Sequence, residues 1–385
     1  MEKPLVWAEI DLNAIEHNVH ELRRVTRTGA QLLVAVKANA YGHGLVGVAR
    51  KALGAGADAL GVARLPEAMQ LRDAGIEAPI LIFGYTPPDQ IRQVLHYDLT
   101  QSVYAMDTAR AYSARIRNAD GPLRLHLKVD TGMGRLGILP DSLRYAPPGM
   151  AISNRAVRDV QDMAALPALH LEGIFTHFAS SDSADKGFTN DQFDGFMDFI
   201  NDLKGVGVEF KIRHAANSGA IIDMAHTHLD MVRAGISLYG LYPSEEVDQS
   251  AIRLEPAMTL KARIVHVKEV PQNFALSYGM TYRTPRPTTI ATVPVGYADG
   301  YSRLLSNRGS MLVRGRRAPI VGRVCMDLTM IDVGHIDDVS LEDEVVMLGR
   351  QGKEAVTADE IAGLTGTINY EVVSSITARV PRIYI

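Results

Sequence analysis

The sequence predicts an α/β protein in which a (β/α)₈ barrel is followed by a mostly β C-terminal domain. Between about residues 30 and 240, eight short apolar runs alternate with longer segments of helical period. Eight strands that alternate with helices over about 210 residues match such a barrel. After Gly240 the pattern changes to strand-like runs with short turns, and 385 residues suffice for two domains. An open doubly wound sheet has the same local alternation, so it remains the alternative fold.

The predicted barrel strands are short runs rich in apolar and β-branched residues. They cover residues 31–36, 59–63, 79–83, 99–103, 123–129, 171–177, 209–214 and 231–237. Most intervals between them hold an amphipathic helix candidate. Residues 65–75 end at Gly75, a helix stop, and residues 189–205 place Phe193 and Phe196 on one apolar face.

The second domain is predicted from strand-like runs that follow one another with short turns. These runs are residues 259–270, 288–296, 310–315, 319–333 and 343–349. One helix candidate, residues 357–366, has Thr357 as its predicted N-cap. We therefore predict a barrel domain at 1–240 and a β domain at 241–385, connected through residues 242–256.

Composition and charge exclude several classes of function. Forty basic side chains against forty-four acidic ones give a net charge of −4, which argues against a nucleic-acid surface but not against a small anion site. The lone Cys325 can form neither an internal disulfide nor a cysteine-based zinc cluster, so we expect a reducing compartment and no metal site. No apolar run approaches the roughly 18 residues that span a bilayer, and the N-terminus lacks a signal-peptide pattern. We expect a cytoplasmic protein with no membrane partner.

A barrel has its active site at the carboxyl ends of its strands, so the residues after each run are the candidates for chemistry. Lys37 closes the first run; burial lowers the pKa of a lysine, which suits a covalent carbonyl adduct or a general base. The alternative is a lysine that extends to solvent at the barrel rim. The fifth run leads into Gly132, Gly134 and Gly137, spaced as G-x-G-x-x-G. No helix candidate follows at once, so we interpret these glycines as a sharp turn that holds Arg135 over the barrel mouth.

The later strand ends favour an anion site. His177 ends the sixth run, where a hydrogen-bonded structural histidine is the alternative interpretation. Phosphate sites in barrels often lie after strands seven and eight, where this chain has Ser218 and the backbone N–H groups near Gly235. Ser218 is equally compatible with a helix N-cap. The HExxH, GxSxG and Walker patterns are absent, which argues against zinc proteases, serine hydrolases and P-loop enzymes.

Ordered motifs along nearly the whole chain resemble those of the alanine racemases, pyridoxal-phosphate enzymes with a barrel and a C-terminal β domain. They are AEIDLNAIEHN (8–18), AVKANAYGHG (35–44), KVDTGMGRLG (128–137), EGIFTHFA (172–179), AANS (215–218), RAGISLYG (233–240), SYG (277–279), PVGYADG (294–300) and GRVCMD (322–327). The stretch 138–160 matches no motif.

The resemblance implies a role for particular residues of this chain. Lys37 resembles the lysine that holds pyridoxal 5'-phosphate and serves as one catalytic base, and Tyr278 resembles the opposing base, contributed by the other subunit of a homodimer. Arg233 resembles the arginine on the pyridine nitrogen, with His177 as its supporting partner. The residues that resemble the phosphate-binding set are Tyr41, Ser218, Gly235, Ile236 and Tyr370.

The resemblance also implies a substrate pocket for a small amino acid. Arg135 resembles the residue near the ring hydroxyl and the substrate carboxylate. Tyr297, Met326 and Asp327 resemble residues that come across the dimer interface. Lys128 matches a lysine that is carbamylated in some members of the family, whereas an ordinary strand lysine that faces a carboxylate such as Asp130 is the alternative. Together these roles imply an expected function, the interconversion of L-alanine and D-alanine for peptidoglycan.

Three other functions remain as alternatives. A racemase that prefers serine, or that has broad specificity, differs by one substrate hydroxyl, which apolar pockets reject poorly. A barrel-type pyridoxal-phosphate decarboxylase is expected to have an acidic group where this chain has Arg233. A non-catalytic pyridoxal-phosphate protein would leave the β domain and Tyr278 without a purpose.

Overall fold

The computed structural model describes residues 4–116, 121–141 and 155–385. The chain forms two compact units. One unit comprises Ile15–Ala40 and Leu45–Glu255, and the other comprises the residues through Ala14, the segment Tyr41–Gly44 and Pro256–Ile385. Most of the stretch 138–160, which matched no motif, lies outside the described residues. The domain boundary near residue 240 stays a prediction.

The larger unit contains a closed barrel of eight parallel strands. The strands are β2 (Gln31–Ala35), β3 (Ala59–Val62), β4 (Ile80–Ile82), β5 (Thr100–Val103), β6 (Leu123–Lys128), β7 (Leu169–Phe175), β8 (Ile212–His214) and β9 (Met231–Ala234). Strands β2 and β9 close the barrel, with Leu33 opposite Arg233 in the register. The predicted barrel is therefore confirmed, and the open-sheet alternative is wrong.

Burial on both faces explains why the barrel strands read as nearly continuous apolar runs. Leu33, Ala59, Leu81 and Met231 form one buried cluster in which side chains of four strands meet. Each of these side chains is at most 4% exposed, so the interior is packed rather than open. The strands can therefore act as a rigid support for the residues that follow them.

Helices follow most of the barrel strands. Their bounds are α1 (Leu12–Val25), α2 (Lys37–Tyr41, a left-handed turn), α3 (Leu45–Gly54), α4 (Leu65–Asp73), α5 (Ile91–His96), α6 (Met106–Ser113), α7 (Ala156–Ala164), α8 (Gly187–Gly205) and α9 (Ser218–Asp223). The two predicted helices correspond to α4 and α8, and α8 buries Phe196, Phe199 and Leu203. Among the described residues, no helix combines the length and the apolar character needed to cross a membrane.

The smaller unit consists mostly of antiparallel strands. They are β1 (Val6–Ile10), β10 (Met258–Arg263), β11 (His266–Val270), β12 (Ala275–Leu276), β13 (Tyr282–Arg283), β14 (Thr288–Val293), β15 (Ser310–Val313), β16 (Arg316–Pro319), β17 (Thr329–Asp332), β18 (Glu344–Gln351), β19 (Glu354–Val356) and β20 (Arg382–Tyr384). A seven-stranded sheet has the order β16-β15-β18-β10-β1-β20 with β19 on β18, beside sheets β11-β14-β17 and β12-β13. The N-terminal strand β1 thus pairs with strands that lie about 250 residues or more further along the chain, antiparallel to β10 and parallel to β20.

Two short helices complete this unit, α10 (Ala358–Thr365) and α11 (Asn369–Ser374). The hydroxyl of Thr357 accepts the N–H of Glu360, so the predicted N-cap of α10 is confirmed. Gly366 ends α10 in the left-handed conformation, which glycine adopts without a steric penalty.

Candidate active site

Lys37 lies at the carboxyl end of β2, immediately before a turn of unusual handedness. The next four residues, Ala38 to Tyr41, have φ between +50° and +55°. Left-handed backbone costs non-glycine residues roughly 1–2 kcal/mol each, so neighbouring contacts must hold this turn. The Oδ1 atom of Asn39 accepts the N–H of Leu45 at 2.8 Å, and the N–H of Ala40 reaches the Val36 carbonyl at 2.8 Å.

Glu67 provides a further anchor for the Lys37 turn. Its Oε1 atom accepts the N–H of Ala38 at 2.7 Å, while its Oε2 atom accepts the N–H groups of Ala63 and Arg64 at 2.8 and 3.0 Å. One carboxylate thus connects the residues that follow β2 with those that follow β3. Burial lowers the pKa of Lys37; the positive charge of Arg135 lowers this pKa further, and the negative charge of Glu67 raises it.

The glycine-rich segment after β6 forms a closed loop and not the entry to a nucleotide-binding helix. Val129 bridges to Ile138 in parallel fashion, so the chain returns to the strand end that it left. Gly132, Gly134 and Gly137 have φ of +133°, +68° and +138°, which are accessible to glycine at little cost. Arg135 is an exposed residue of this loop.

Lys128, the last residue of β6, is buried in the barrel. Its Nζ atom donates to the Val129 carbonyl at 2.9 Å and lies 5.4 Å from the centroid of the Phe175 ring. Burial, together with the positive charge of Arg233, lowers the pKa of Lys128 to about 7. Within the described residues its ammonium forms no ion pair with a carboxylate. The negative charge of Asp130 raises the pKa of Lys128, so the alternative of an ordinary strand lysine that faces Asp130 stays a prediction beside carbamylation.

Arg233 on β9 forms several hydrogen bonds with the described residues. Its Nη2 atom donates to the carbonyls of Thr176 and Ala215 at 2.7 and 2.8 Å, and its Nη1 atom lies 3.0 Å from His214 Nδ1. Nη2 also lies 3.3 Å from Nδ1 of His177. Burial lowers the pKa of Arg233 to about 9, which leaves it cationic at neutral pH.

The bonds of Arg233 leave part of its donor capacity unused. A guanidinium has five N–H groups and no acceptor. Hydrogen bonds to the described residues use both Nη2 hydrogens and one Nη1 hydrogen. The Nε–H and the second Nη1–H can therefore donate to an acceptor that is not part of the chain.

Two further histidines continue the contacts of Arg233 into the barrel. His214 Nε2 lies 2.9 Å from His126 Nδ1, and His126 Nε2 lies 4.0 Å from a carboxylate oxygen of Glu172. Burial lowers the pKa of His126 to about 3 and holds the pKa values of His214 and His177 well below their usual range. All three imidazoles are thus neutral at pH 7, so each can accept from one neighbour and donate to another.

The predicted anion site has donors at the ends of β8 and β9. The hydroxyl of Ser218 accepts the N–H of Gly235 at 2.8 Å and that of Ser237 at 3.4 Å, which leaves its own proton to donate. The N-cap of α9 is Asn217, whose side chain accepts the N–H of Ala220, so the alternative role of Ser218 as the N-cap is wrong. Ile236 begins the 3₁₀ turn Ile236–Tyr239, which leaves its N–H without a partner inside that turn.

The smaller unit carries Tyr278 on an exposed turn. Tyr278 begins the short turn Tyr278–Met280 and is 71% exposed. Ser277 precedes it with φ of +62°, and the Ser277 hydroxyl donates to the Arg323 carbonyl at 2.6 Å. The position of the Tyr278 turn is thus tied to the segment that begins at Arg323.

The same unit brings three more predicted residues to that segment. The N–H of Tyr297 donates to the Cys325 carbonyl at 3.2 Å, and the N–H of Ala298 donates to the Met326 carbonyl at 3.1 Å. Tyr297 and Met326 are 43% and 53% exposed, and Asp327 is also exposed, with its carboxylate accepting from Arg379 at 2.9 Å. Aromatic, thioether and carboxylate groups are therefore presented together on the surface of this unit.

Tyr41 and Tyr370 are neighbours in the smaller unit. Their ring centroids lie 6.3 Å apart with an interplanar angle of 46°. Gly42, the residue after Tyr41, has φ of +85°, and a Cβ atom there would lie 2.2 Å from the Val373 carbonyl oxygen. The chain therefore requires glycine beside Tyr41, since helix α11 passes so close.

Sequence reasoning missed the residues that hold these groups in place. His214 contacts Arg233, and His126 contacts His214. Glu67 accepts the N–H of Ala38, the residue after Lys37. None of these three was assigned a role, and Asp130, which accepts the N–H of Arg135, was named only as a carboxylate that Lys128 could face. The sequence feature that could have indicated them is their position, either within a predicted strand or within about one turn after its end. A polar side chain inside an apolar run predicts a buried hydrogen-bond network, but not its partners.

Comparisons with known proteins give a consistent result. Residues 10–243 match the family model for the N-terminal domain of alanine racemase, and residues 257–384 match the model for its C-terminal domain. An alanine racemase from Desulfosudis oleivorans is 53% identical over 378 residues, 98% of this chain and 96% of that protein. One from Desulforamulus reducens is 51% identical over 385 residues, the whole of both chains. The crystal structure of alanine racemase from Bacillus anthracis with bound L-Ala-P has a TM-score of 0.92 and 38% identity, and the match covers 100% of this chain and 96% of that one.

Proposed function

The chain belongs to the alanine racemase family, and on that premise we propose that it interconverts L-alanine and D-alanine with pyridoxal 5'-phosphate and two bases, Lys37 and Tyr278. The observation that carries the proposal is the set of groups at the carboxyl ends of the barrel strands. A lysine with a lowered pKa, an arginine with unused N–H groups and a serine hydroxyl lie at the ends of β2, β9 and β8.

This donor set fits the cofactor. Lys37 would supply the amine for the covalent attachment, and Ser218 with the N–H of Ile236 would donate to the phosphate. We assign Gly235, Tyr41 and Tyr370 to the same phosphate site, although the Gly235 N–H donates to Ser218 Oγ in this structure. When bound, pyridoxal phosphate withdraws electrons from the substrate Cα and so makes its proton removable.

Arg233 is the residue that we assign to the ring nitrogen of the cofactor. It would donate to the ring nitrogen through an N–H that the chain does not use, with His177 and His214 keeping the guanidinium in place. Because Arg233 stays protonated at neutral pH, it donates a hydrogen bond without transferring its proton. With its proton kept, Arg233 would leave the ring nitrogen unprotonated, which would favour rapid return of the proton to Cα over side reactions. The same cation argues against the decarboxylase alternative.

Racemisation requires one base on each face of the substrate. We assign the proton of D-alanine to Lys37 and the proton of L-alanine to Tyr278. Tyr278 would come from the partner subunit of a homodimer, together with Tyr297, Met326 and Asp327. Their joint exposure on the smaller unit supports this assignment, since large exposed side chains clustered on one surface are typical of an interface.

Mixing two inactive variants tests both the bases and the shared site. Lys37→Ala and Tyr278→Ala homodimers should each lose racemase activity. A mixed dimer has one site with Lys37 from one subunit and Tyr278 from the other, so co-refolding equal amounts should restore roughly a quarter of wild-type activity. Full activity of Tyr278→Ala alone would contradict the two-base assignment. Two inactive variants that gain nothing on mixing would contradict the shared site.

The substrate is assigned to alanine, with Arg135 binding its carboxylate. Serine differs by one hydroxyl, so a racemase that prefers serine or accepts both is the second candidate. A comparison of kcat/KM for L-alanine and L-serine decides between them. A value for serine equal to or above that for alanine would contradict the assignment.

Three smaller assignments belong to the same proposal. Lys128 would be carbamylated, since a pKa of about 7 makes its amine neutral enough to add to carbon dioxide, and the resulting anion could pair with Arg135. Intact mass under native conditions tests this modification.

We place the enzyme in the cytoplasm, where its D-alanine would supply peptidoglycan synthesis.

A further inference from the structure

Asp130 is the centre of the loop that carries Arg135. It follows β6 by two residues and is 5% exposed. Its Oδ1 atom accepts the N–H groups of Gly132, Met133 and Gly134 at 3.0, 2.9 and 3.1 Å. Its Oδ2 atom accepts the N–H of Arg135 at 3.0 Å. One carboxylate thus binds four successive backbone N–H groups of the loop.

The backbone of Asp130 is fixed independently of its side chain. Its N–H donates to the Ile138 carbonyl at 2.9 Å, and the N–H of Ile138 donates to the Lys128 carbonyl at 2.9 Å. Both bonds join the end of the loop to the end of β6. Asp130 therefore stands on the rigid barrel, while the loop curls around its carboxylate.

This arrangement fixes the backbone position from which the Arg135 side chain extends. Arg135 is an exposed residue whose long side chain has many rotamers, and the contact that restrains it is the hydrogen bond of its backbone N–H to Asp130. Glycines at positions 132 and 134 allow the φ values of +133° and +68° that turn successive N–H groups toward one acceptor. The Oδ2 contact restrains the backbone of Arg135 itself.

We propose that Asp130 is the positioning residue of Arg135, holding that cation where it meets the carboxylate of the amino-acid substrate. This inference rests on the proposed role of Arg135 in substrate binding. Asp130 would act through the backbone of Arg135, because its carboxylate already accepts four backbone N–H groups. Its loss should therefore weaken binding of the substrate carboxylate and leave the two proposed bases in place.

Two substitutions separate the contacts of Asp130. Asp130→Asn keeps an oxygen for three N–H groups but presents an NH₂ group to the N–H of Arg135. Asp130→Ala removes all four acceptors. We expect KM for L-alanine to rise about tenfold in Asp130→Asn and about a hundredfold in Asp130→Ala, with kcat changed less than about threefold.

A substrate analogue provides a readout separate from turnover. Propionate is alanine without its amino group, so its inhibition constant reports mainly on the carboxylate contact. In the holoenzyme this constant should rise by the same factor as KM in each Asp130 variant, and Arg135→Ala should raise both values at least as much. The visible absorbance of the bound cofactor confirms that each variant is loaded.

Asp58→Asn is the matched control. Asp58 also accepts a backbone N–H, that of Leu32 at 2.7 Å, but it lies at the amino-terminal end of the barrel. Its KM and propionate constant should stay at wild-type values. If Asp130→Ala fails to fold, Asp130→Asn carries the test alone.

Three other outcomes would contradict either the role of Asp130 or the role of Arg135. If Arg135→Ala raises KM and the propionate constant while Asp130→Asn changes neither, Asp130 does not position Arg135 and the proposed function stands. If Asp130→Asn lowers kcat and the melting temperature with KM unchanged, its role is structural only. If Arg135→Ala leaves both values unchanged, the proposed substrate role of Arg135 is wrong, and the inference fails with it.

Discussion

Gly137→Ala is the substitution that tests the closed loop after β6 most directly. Gly137 has φ of +138°, a region that residues with a side chain rarely adopt. A Cβ atom there would lie 2.3 Å from the Asp130 nitrogen and 2.6 Å from the Val129 carbonyl carbon. Both neighbours are backbone atoms at the end of the barrel strand, so the loop must move rather than a side chain.

The size of the effect follows from what that movement breaks. Forcing alanine into this backbone region costs about 1–3 kcal/mol. The displaced loop also loses the two bonds that join Asp130 and Ile138 to each other and to β6, worth about 1 kcal/mol each. The total is roughly 3–5 kcal/mol, concentrated in the loop. A shift of about 1 Å at Arg135 can lower kcat/KM by about a hundredfold.

Gly134→Ala is the control within the same loop. Gly134 has φ of +68°, and a Cβ atom at this position would have no neighbour within 4 Å, so alanine there should cost only about 1 kcal/mol of left-handed strain. Racemisation of L-alanine, followed by optical rotation at several substrate concentrations, gives kcat/KM for both variants. Equal losses in the two variants, or near-wild-type activity of Gly137→Ala, would refute the reasoning.

Three further predictions concern charged groups. Glu67→Gln removes the charge that raises the pKa of Lys37, so amine acylation of Lys37 in the apoprotein should reach half its maximal rate at a lower pH; an unchanged midpoint would contradict this coupling. Burial lowers the pKa of His126 to about 3, so between that value and the unfolded value near 6.5 the unfolded chain binds more protons. The free energy of unfolding should thus fall as the pH drops through this window. Denaturant titrations at several pH values should show that this free energy depends less steeply on pH in His126→Asn than in the exposed-site control His20→Asn. Arg233→Glu should lower racemisation and raise the yield of pyruvate per turnover, whereas unchanged partitioning would count against the proposed effect of an unprotonated ring nitrogen.

The sequence was most informative where burial dictates composition. The eight barrel strands lie within or beside the predicted runs, because a strand buried on both faces needs apolar residues at nearly every position. The cap at Thr357 was also predictable, since an N-cap depends on atoms only three residues apart. Ser218 shows the limit of local rules: Asn217 takes the cap, and the hydroxyl of Ser218 accepts from residues at the end of the next strand.

The sequence by itself determined the alternation that specifies a barrel, the residues at the strand ends and the family. Only the tertiary structure decided how those residues are held. The partners of Arg233 come from β8 and from the segments that follow β7 and β8, and the carboxylate of Asp130 accepts N–H groups from a loop that returns to its own strand. The pairing of β1 with β10 and β20 was equally absent from the local pattern. Hydrogen bonds between distant segments depend on orientation within a few tenths of an ångström, which periodicity and composition do not encode.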